Sequence, residues 1–162
     1  MNGRELLQVV GTVLARSGFR RKGGVLRRNG KEVSCVVQVQ KDRWSDLHYI
    51  DIGLNFVSAE RLSTELPLRV SDVTVRLDSV LPPAARVELL DVLDLGKAME
   101  VDERRSRLAR LSEDWVMPWV NTATTVVGIC GMVRDGVLPA PLLTLVARRF
   151  LSKHCDWIPA EP

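Results

Sequence analysis

The chain has 162 residues, of which 46% are hydrophobic and 27% charged, with a mean hydropathy of +0.02 and a formal net charge of +3. These values are typical of one folded domain, and they exclude a disordered chain, because this much apolar surface can offset the entropy lost on ordering. The three cysteines are too few and too far apart for a disulfide scaffold, which predicts reduced thiols and a cytoplasmic location. They are Cys35, Cys130 and Cys155.

The first predicted element is a helix from Gly3 to Ser17. Its apolar residues recur every three or four positions, which places them on one helical face, and Gly18 is a typical helix stop. Polar residues interrupt this segment, so we do not expect it to be a signal peptide.

An antiparallel sheet of four strands is predicted over residues 25–78. Asn29-Gly30 predicts the first hairpin, because both residues tolerate positive φ. The run His48–Phe56 alternates apolar and mostly polar residues, as in a strand buried on one face. The run Val73–Asp78 alternates in the same way, after a loop that contains Pro67, and is the predicted fourth strand.

Three to four helices are predicted over residues 83–155, packed on one face of the sheet, followed by a tail at 156–162. Pro82-Pro83 opens the first of them, with Val87, Leu90 and Leu93 facing inward. The 19 residues from Trp115 to Val133 carry no charge. Their glycines and polar residues favour a core helix, broken near Pro118, over a membrane span. The expected fold is a single α+β domain.

Seven cations and no acid lie between residues 16 and 31. They are Arg16, Arg20, Arg21, Lys22, Arg27, Arg28 and Lys31. Such a cluster could bind the phosphates of a nucleic acid or another anionic ligand. The alternative is a solvated hairpin whose charges prevent pairing with other chains. Phe19 is the one aromatic residue in the cluster, and a place in the core is expected for it.

A second candidate site lies on the polar side of the predicted strands, together with the turn before His48. Its residues are Gln38, Gln40, Arg43, Trp44, Tyr49, Asp51, Asn55 and Arg76. Amides, a phenol, a carboxylate and guanidinium groups can form a hydrogen-bonding surface, and Trp and Arg are favoured anchors of protein interfaces. The alternative is ordinary polar alternation on the solvated side of a sheet.

No catalytic or metal-binding pattern is found in the sequence. His154, Cys155 and Asp156 are adjacent, and adjacent residues of a helix do not face one another. An enzyme would need His48, Asp51 or Cys155 to converge in the fold, and no pair of ligands has metal-site spacing. We therefore expect no catalytic residue, metal or cofactor, and an uncharacterised enzyme is kept as an alternative function.

Several short motifs resemble the bacterial domain-of-unknown-function family 4304. They include the segments Gly18–Gly23, Val36–Lys41, Ile52–Phe56 and Trp115–Trp119, and Arg76 between Val75 and Leu77. Asp42 follows Lys41, where the family often has Ser after the strand-end Gln. The resemblance implies the order of elements above and no established activity. By analogy with other small bacterial proteins, we expect a binding protein, monomeric or homodimeric, of the immunity type that neutralises a toxin by occlusion.

Overall fold

The structure is a computed structural model and describes residues 1–57 and 68–155. Pro67 and the predicted tail at 156–162 lie outside the described residues. Within them, the order of elements is a helix, an antiparallel sheet and a series of helices, so the α+β class is confirmed.

The N-terminal helix α1 spans Gly3–Leu14 and continues as a 3₁₀ turn over Ala15–Ser17, as predicted. The Asn2 side chain accepts hydrogen bonds from backbone N–H groups of the first turn, and the Glu5 carboxylate accepts one from the Asn2 N–H. This reciprocal pair satisfies donors that a helix leaves unpaired at its start. Gly18 has φ +79°, a left-handed conformation that glycine adopts without steric penalty.

Five antiparallel strands form one sheet in the order β1-β2-β3-β4-β5. Their bounds are Arg20–Lys22, Val25–Arg28, Val33–Lys41, His48–Phe56 and Val73–Arg76. The prediction of four strands is wrong, because it omits β1. Lys22 pairs with Val25 across a two-residue turn of Gly23, whose φ is +62°, and Gly24. The residues of β1 are all basic, so β1 lacks the apolar alternation by which a strand is detected. The sheet ends at Arg76 rather than at residue 78, because a 3₁₀ turn follows.

The predicted hairpin between β2 and β3 is confirmed, but its turn is of another kind. Four residues, 29–32, connect the strands, and neither Asn29 nor Gly30 has positive φ. A Cβ atom on Gly30 would collide with the backbone oxygen of Val33. Close approach of two backbone segments, rather than a left-handed φ, therefore explains the glycine.

Five α-helices follow the sheet in the described residues, where three to four were predicted, because the uncharged segment is divided between two helices. They are α2 Pro83–Leu93, α3 Val101–Leu111, α4 Met117–Ala123, α5 Val126–Arg134 and α6 Leu145–Leu151. Leu93 is buried as predicted, but Val87 is 69% exposed, and Ala85 and Leu89 are buried instead. Apolar residues occur around much of α2, so their spacing did not define its inward face.

The uncharged segment bends at Thr124 and Thr125, so the predicted break near Pro118 is wrong. A π-helical turn over Ser112–Val116 precedes Pro118, which then lies in the first turn of α4. The π turn shifts the local hydrogen bonding, with the Met117 N–H bonded to the Ser112 carbonyl five residues earlier, so Pro118 follows a point where the regular α-helical pattern is already interrupted. The Thr125 hydroxyl accepts a hydrogen bond from the Gly128 N–H at 3.0 Å and begins α5.

This segment also bears on the expectation of no membrane span. Across the described residues, no single helix is long and apolar enough to cross a membrane. The stretches Val101–Ala123 and Val126–Arg134 reach that length and composition only as a pair, and the pair is bent by 113°.

The oxidation state of the cysteines differs from the prediction made from the sequence. Cys130 in α5 and Cys155 after α6 form a disulfide, with Cα atoms 6.0 Å apart, so the prediction of three reduced thiols is wrong for two of them. The chain between these residues folds back on itself, which their wide spacing did not indicate. Cys35 is free and lies in the core, where burial raises the pKa of its thiol to about 12.

Candidate functional site

Polar residues of β3, β4 and β5 come together on one face of the sheet. Gln40 is paired with Tyr49, Gln38 with Asp51, and Asp51 with Arg76. Paired residues of an antiparallel sheet project to the same side, so these five side chains form one group. The alternate residues of the same strands are largely apolar and belong to the core.

Three cations of the basic cluster lie on this same face. Arg27 is paired with Arg20 and Val25 with Lys22, and Val25 is in turn paired with Gln38. Arg20, Lys22 and Arg27 also line one depression of about 400 Å³. In the sequence, the basic cluster and the polar face are separate candidates. The register of β1 and β2 joins them into one surface.

The other four cations of the cluster do not converge with these three. They are Arg16, Arg21, Arg28 and Lys31. Arg28 donates a hydrogen bond to the Asn121 side chain in α4 at 2.8 Å, and Arg16 forms an ion pair with Glu113 at 2.7 Å. Arg21 lines a cleft beside α1, and Lys31 lies in the turn between β2 and β3. An anion site made of all seven residues is therefore not formed.

One end of the polar face is covered by the chain itself. A Cβ atom on Gly53 would collide with the Ser71 hydroxyl oxygen and lie 2.8 Å from Leu68 Cδ1 and Val36 Cγ1. Asn55 is 4% exposed, and its Nδ2 donates to Ser71 Oγ at 3.4 Å. The prediction that Asn55 contacts a partner is therefore corrected. The alternation of residues predicts the face of the strand on which Asn55 lies, but not which other residues cover that face. We call this end the covered half; it comprises Ser34, Val36, Gly53 and Asn55.

The rest of the face, including the side formed by β1 and β2, is the open half. It comprises Arg20, Lys22, Arg27, Gln38, Gln40, Tyr49, Asp51 and Arg76. The Arg76 guanidinium lies 3.8 Å from the centroid of the Tyr49 ring, and its Nε donates to Asp51 Oδ1 at 3.4 Å. The Asp51 side chain is 9% exposed and that of Arg76 is 48% exposed. Burial raises the pKa of the Asp51 carboxyl, and the Arg76 charge partly offsets the rise. The open half thus presents four cations and one largely buried acid.

The turn between β3 and β4 carries an exposed tryptophan. Trp44 is 83% exposed, and the Arg43 guanidinium lies 4.8 Å from the centroid of its ring. The Asp42 carboxylate accepts hydrogen bonds from the Trp44 N–H and the Ser45 hydroxyl, both at 3.0 Å. These bonds lower the pKa of Asp42 and fix the turn. Trp44 is thereby held in solvent by a defined loop.

A comparison with protein families adds one finding. A family model described as "Domain of unknown function (DUF4304)" matches residues 10–122. The chain belongs to this family. The matched range contains the whole sheet, and therefore both halves of the polar face. No curated protein and no solved structure matches the DUF4304 chain.

The candidate catalytic residues do not converge in this DUF4304 protein. His48 and Asp51 lie three positions apart on β4 and so on opposite faces, with His48 Nδ1 3.0 Å from the Asp46 carbonyl oxygen. Cys155 is held in the disulfide, and the His154 ring lies 5.0 Å from that of Phe150. In the parts of the chain that the structure describes, no three His, Cys, Asp or Glu residues are grouped as metal ligands.

Proposed function

We propose that this DUF4304 protein is a non-catalytic binding protein whose open half and Trp44 turn cover an acidic surface of another protein. The observation that carries the proposal is the strand register. It places Lys22 in the same row as Gln38, Asp51 and Arg76, and it places Arg20 and Arg27 in the next row on the same face. Arg20 is exposed there, so its charge is available to an acidic group of a partner.

The residue types favour a protein partner. Arg, Tyr and Trp are enriched among residues that dominate binding energy at protein interfaces, and the open half with its turn contains all three. Gln38 and Gln40 can each donate and accept hydrogen bonds. Because these side chains lie on paired strands, the backbone of the surface is formed before binding, so docking requires little further ordering of the backbone.

A nucleic acid is the second candidate, favoured by the three cations that line one depression. It ranks second because the Tyr49 and Trp44 rings each have an arginine guanidinium over one face, which leaves less aromatic surface for stacking bases.

Occlusion is the mechanism that such a surface supports, and neutralisation of a toxin by an immunity-type protein is the specific form that we propose. The partner's active surface would be covered, with no chemical step. The expectation of a cytoplasmic location rested on reduced thiols, and the Cys130–Cys155 disulfide removes that support.

The test compares Arg20→Glu with Lys153→Glu in capture of partners from the source cell by the tagged protein. Each variant reverses one exposed cation, so the net charge is the same, but only Arg20 belongs to the open half. We expect Lys153→Glu to retain the partner captured by the wild type and Arg20→Glu to lose it by tenfold or more, equal to about 1.4 kcal/mol.

Two results would contradict the proposal. One is a partner whose binding survives the double variant Trp44→Ala, Arg76→Ala. The other is binding of purified RNA or DNA that weakens steeply with salt and is lost in Arg20→Glu, which would favour the second candidate.

A further inference from the structure

A second concave surface lies among the helices, and none of its residues belongs to the open half. It is a cleft of about 570 Å³ between residues 80–82 and helices α4 and α5. Its apolar lining includes Leu81, Trp115, Pro118, Trp119, Met132 and Val137. Clefts of this size, mostly apolar with a few polar groups, are typical of small-molecule sites. We call it the tryptophan cleft.

Two glycines of α5 explain why the space is empty. A Cβ atom on Gly128 would collide with the Thr122 carbonyl oxygen, so the bend between α4 and α5 requires glycine there. Gly131 lies nearly one turn later, and no atom lies within 4 Å of the position its Cβ would take. Both glycines line the cleft. The missing side chain at residue 131 therefore leaves a hollow that an ordinary core helix would fill.

One wall of the cleft is a partly exposed tryptophan. Trp115 is 37% exposed at the rim, although it is a large hydrophobic residue, and Trp119, which also lines the cleft, is buried. A large apolar side chain left partly exposed beside a concave surface suits a site that is completed by the apolar part of a bound molecule.

The charge of the lining indicates the kind of molecule. Asp114 and Asp135 are the ionisable residues of the lining, and both are acids. Asp135 forms an ion pair with Arg134 at 2.9 Å, whereas no cation of residues 1–57 or 68–155 lies within ion-pair distance of Asp114. Indole rings are the aromatic groups that attract cations most strongly. A carboxylate beside two tryptophans therefore complements a positive charge.

We propose that the tryptophan cleft binds a small organic cation, with an apolar body against Trp115 and Trp119 and an ammonium group near Asp114. This site is independent of the open half and does not require the proposed partner. The volume of about 570 Å³ fits a small molecule. A basic amphipathic peptide is the competing occupant, and the test distinguishes the two.

The first experiment compares three probes of one shape: 4-phenylbutylamine, 4-phenylbutanol and 4-phenylbutyrate. Binding is followed by the indole N–H signals of Trp115 and Trp119 in ¹⁵N NMR spectra, with the Trp44 signal as an internal reference. We expect the amine to bind about tenfold more tightly than the carboxylate. Asp114→Asn should reduce the preference for the amine over the alcohol, because the carboxylate is lost while the indole rings remain. Asp102→Asn, the same change at an exposed acid of α3, should leave it intact.

The second experiment fills the cleft. Gly131→Leu places a side chain in the empty space, and a folded variant is expected to lose amine binding while its capture of the open-half partner is unchanged. Equal binding of all three probes, a preference for the amine that is undiminished in Asp114→Asn, or shifts at Trp44 alone would overturn the proposal. So would tight binding of a basic amphipathic peptide with no binding of the amine. If Gly131→Leu does not fold, the Asp114→Asn and indole measurements decide the question.

Discussion

The covered half and the open half of the sheet face differ in exposure although they belong to the same strands. In both halves, residues of β3 and β4 alternate in the same register and project to the same side. Asn55 in one half is buried, and Tyr49 in the other is partly exposed. The difference arises from Gly53, whose lack of a side chain admits Leu68 and Ser71 against the strands. A single position therefore divides a continuous polar face into a packed region and a surface available to a partner.

Adding a side chain at Gly53 should have the largest effect. Gly53→Val is expected to destabilise the protein by about 3 kcal/mol, because overpacking forces Leu68, Ser71 and Val36 to move. Urea unfolding measures the change. Gly24→Ala is the control: no atom lies within 4 Å of its Cβ position, so stability should change little. Equal losses in the two variants would show that Gly53 does not create the covered half.

Removing Arg76 should have the next largest effect. Arg76→Ala leaves the Asp51 carboxylate largely buried without its guanidinium neighbour. We expect a loss of about 1 kcal/mol, because Arg76 is half exposed and solvent screens the pair. Thermal unfolding tests this expectation. A melting temperature equal to that of the wild type would mean that the pair does not stabilise the open half.

The pH dependence of the free energy of unfolding should report the raised pKa of Asp51. Its pKa is raised in the folded state, so the folded protein binds more protons than the unfolded chain above the ordinary Asp value of 3.8, and stability falls as pH rises through that window. Asp42, whose pKa is lowered, acts in the opposite sense. Asp51→Asn should therefore gain stability relative to the wild type between pH 4 and pH 7 in chemical denaturation. A constant difference between the two would contradict this assignment.

The smallest effect is expected at Ser34 in the covered half. Its hydroxyl is buried and has no hydrogen-bond partner among the described residues, so it incurs a desolvation cost without compensation. Ser34→Ala should leave stability unchanged or raise it by up to about 1 kcal/mol. Gln38→Ala, in the open half, should change it by less than about 0.5 kcal/mol. Calorimetry of both variants checks the comparison, and a clear loss in Ser34→Ala would imply a hydrogen bond to that hydroxyl.

Much of the fold could be predicted because it follows from the spacing of hydrophobic residues along each segment and from residues that favour a particular local backbone conformation. Alternation in His48–Phe56 identified β4 and the side of each residue, and Gly18 identified the end of α1. The strand β1 was missed because three basic residues have no hydrophobic period. The cover over Asn55 could not be predicted, because it depends on a contact with Ser71, 16 residues away. The disulfide and the tryptophan cleft likewise depend on distant segments meeting.

The pairing of Val73 with Leu143 has a consequence for truncation. Leu143 forms an isolated bridge to Val73 of β5, and the neighbouring Thr144 N–H donates to the Asp72 carbonyl at 3.2 Å. The family match ends at residue 122, so both contacts come from beyond it, as does Phe150, which stacks on Phe56 with ring centroids 4.5 Å apart. The segment at Leu143 and Thr144, just before α6, therefore covers part of the free edge of β5. A chain cut at residue 122 would expose that edge, and exposed strand edges favour pairing with other chains.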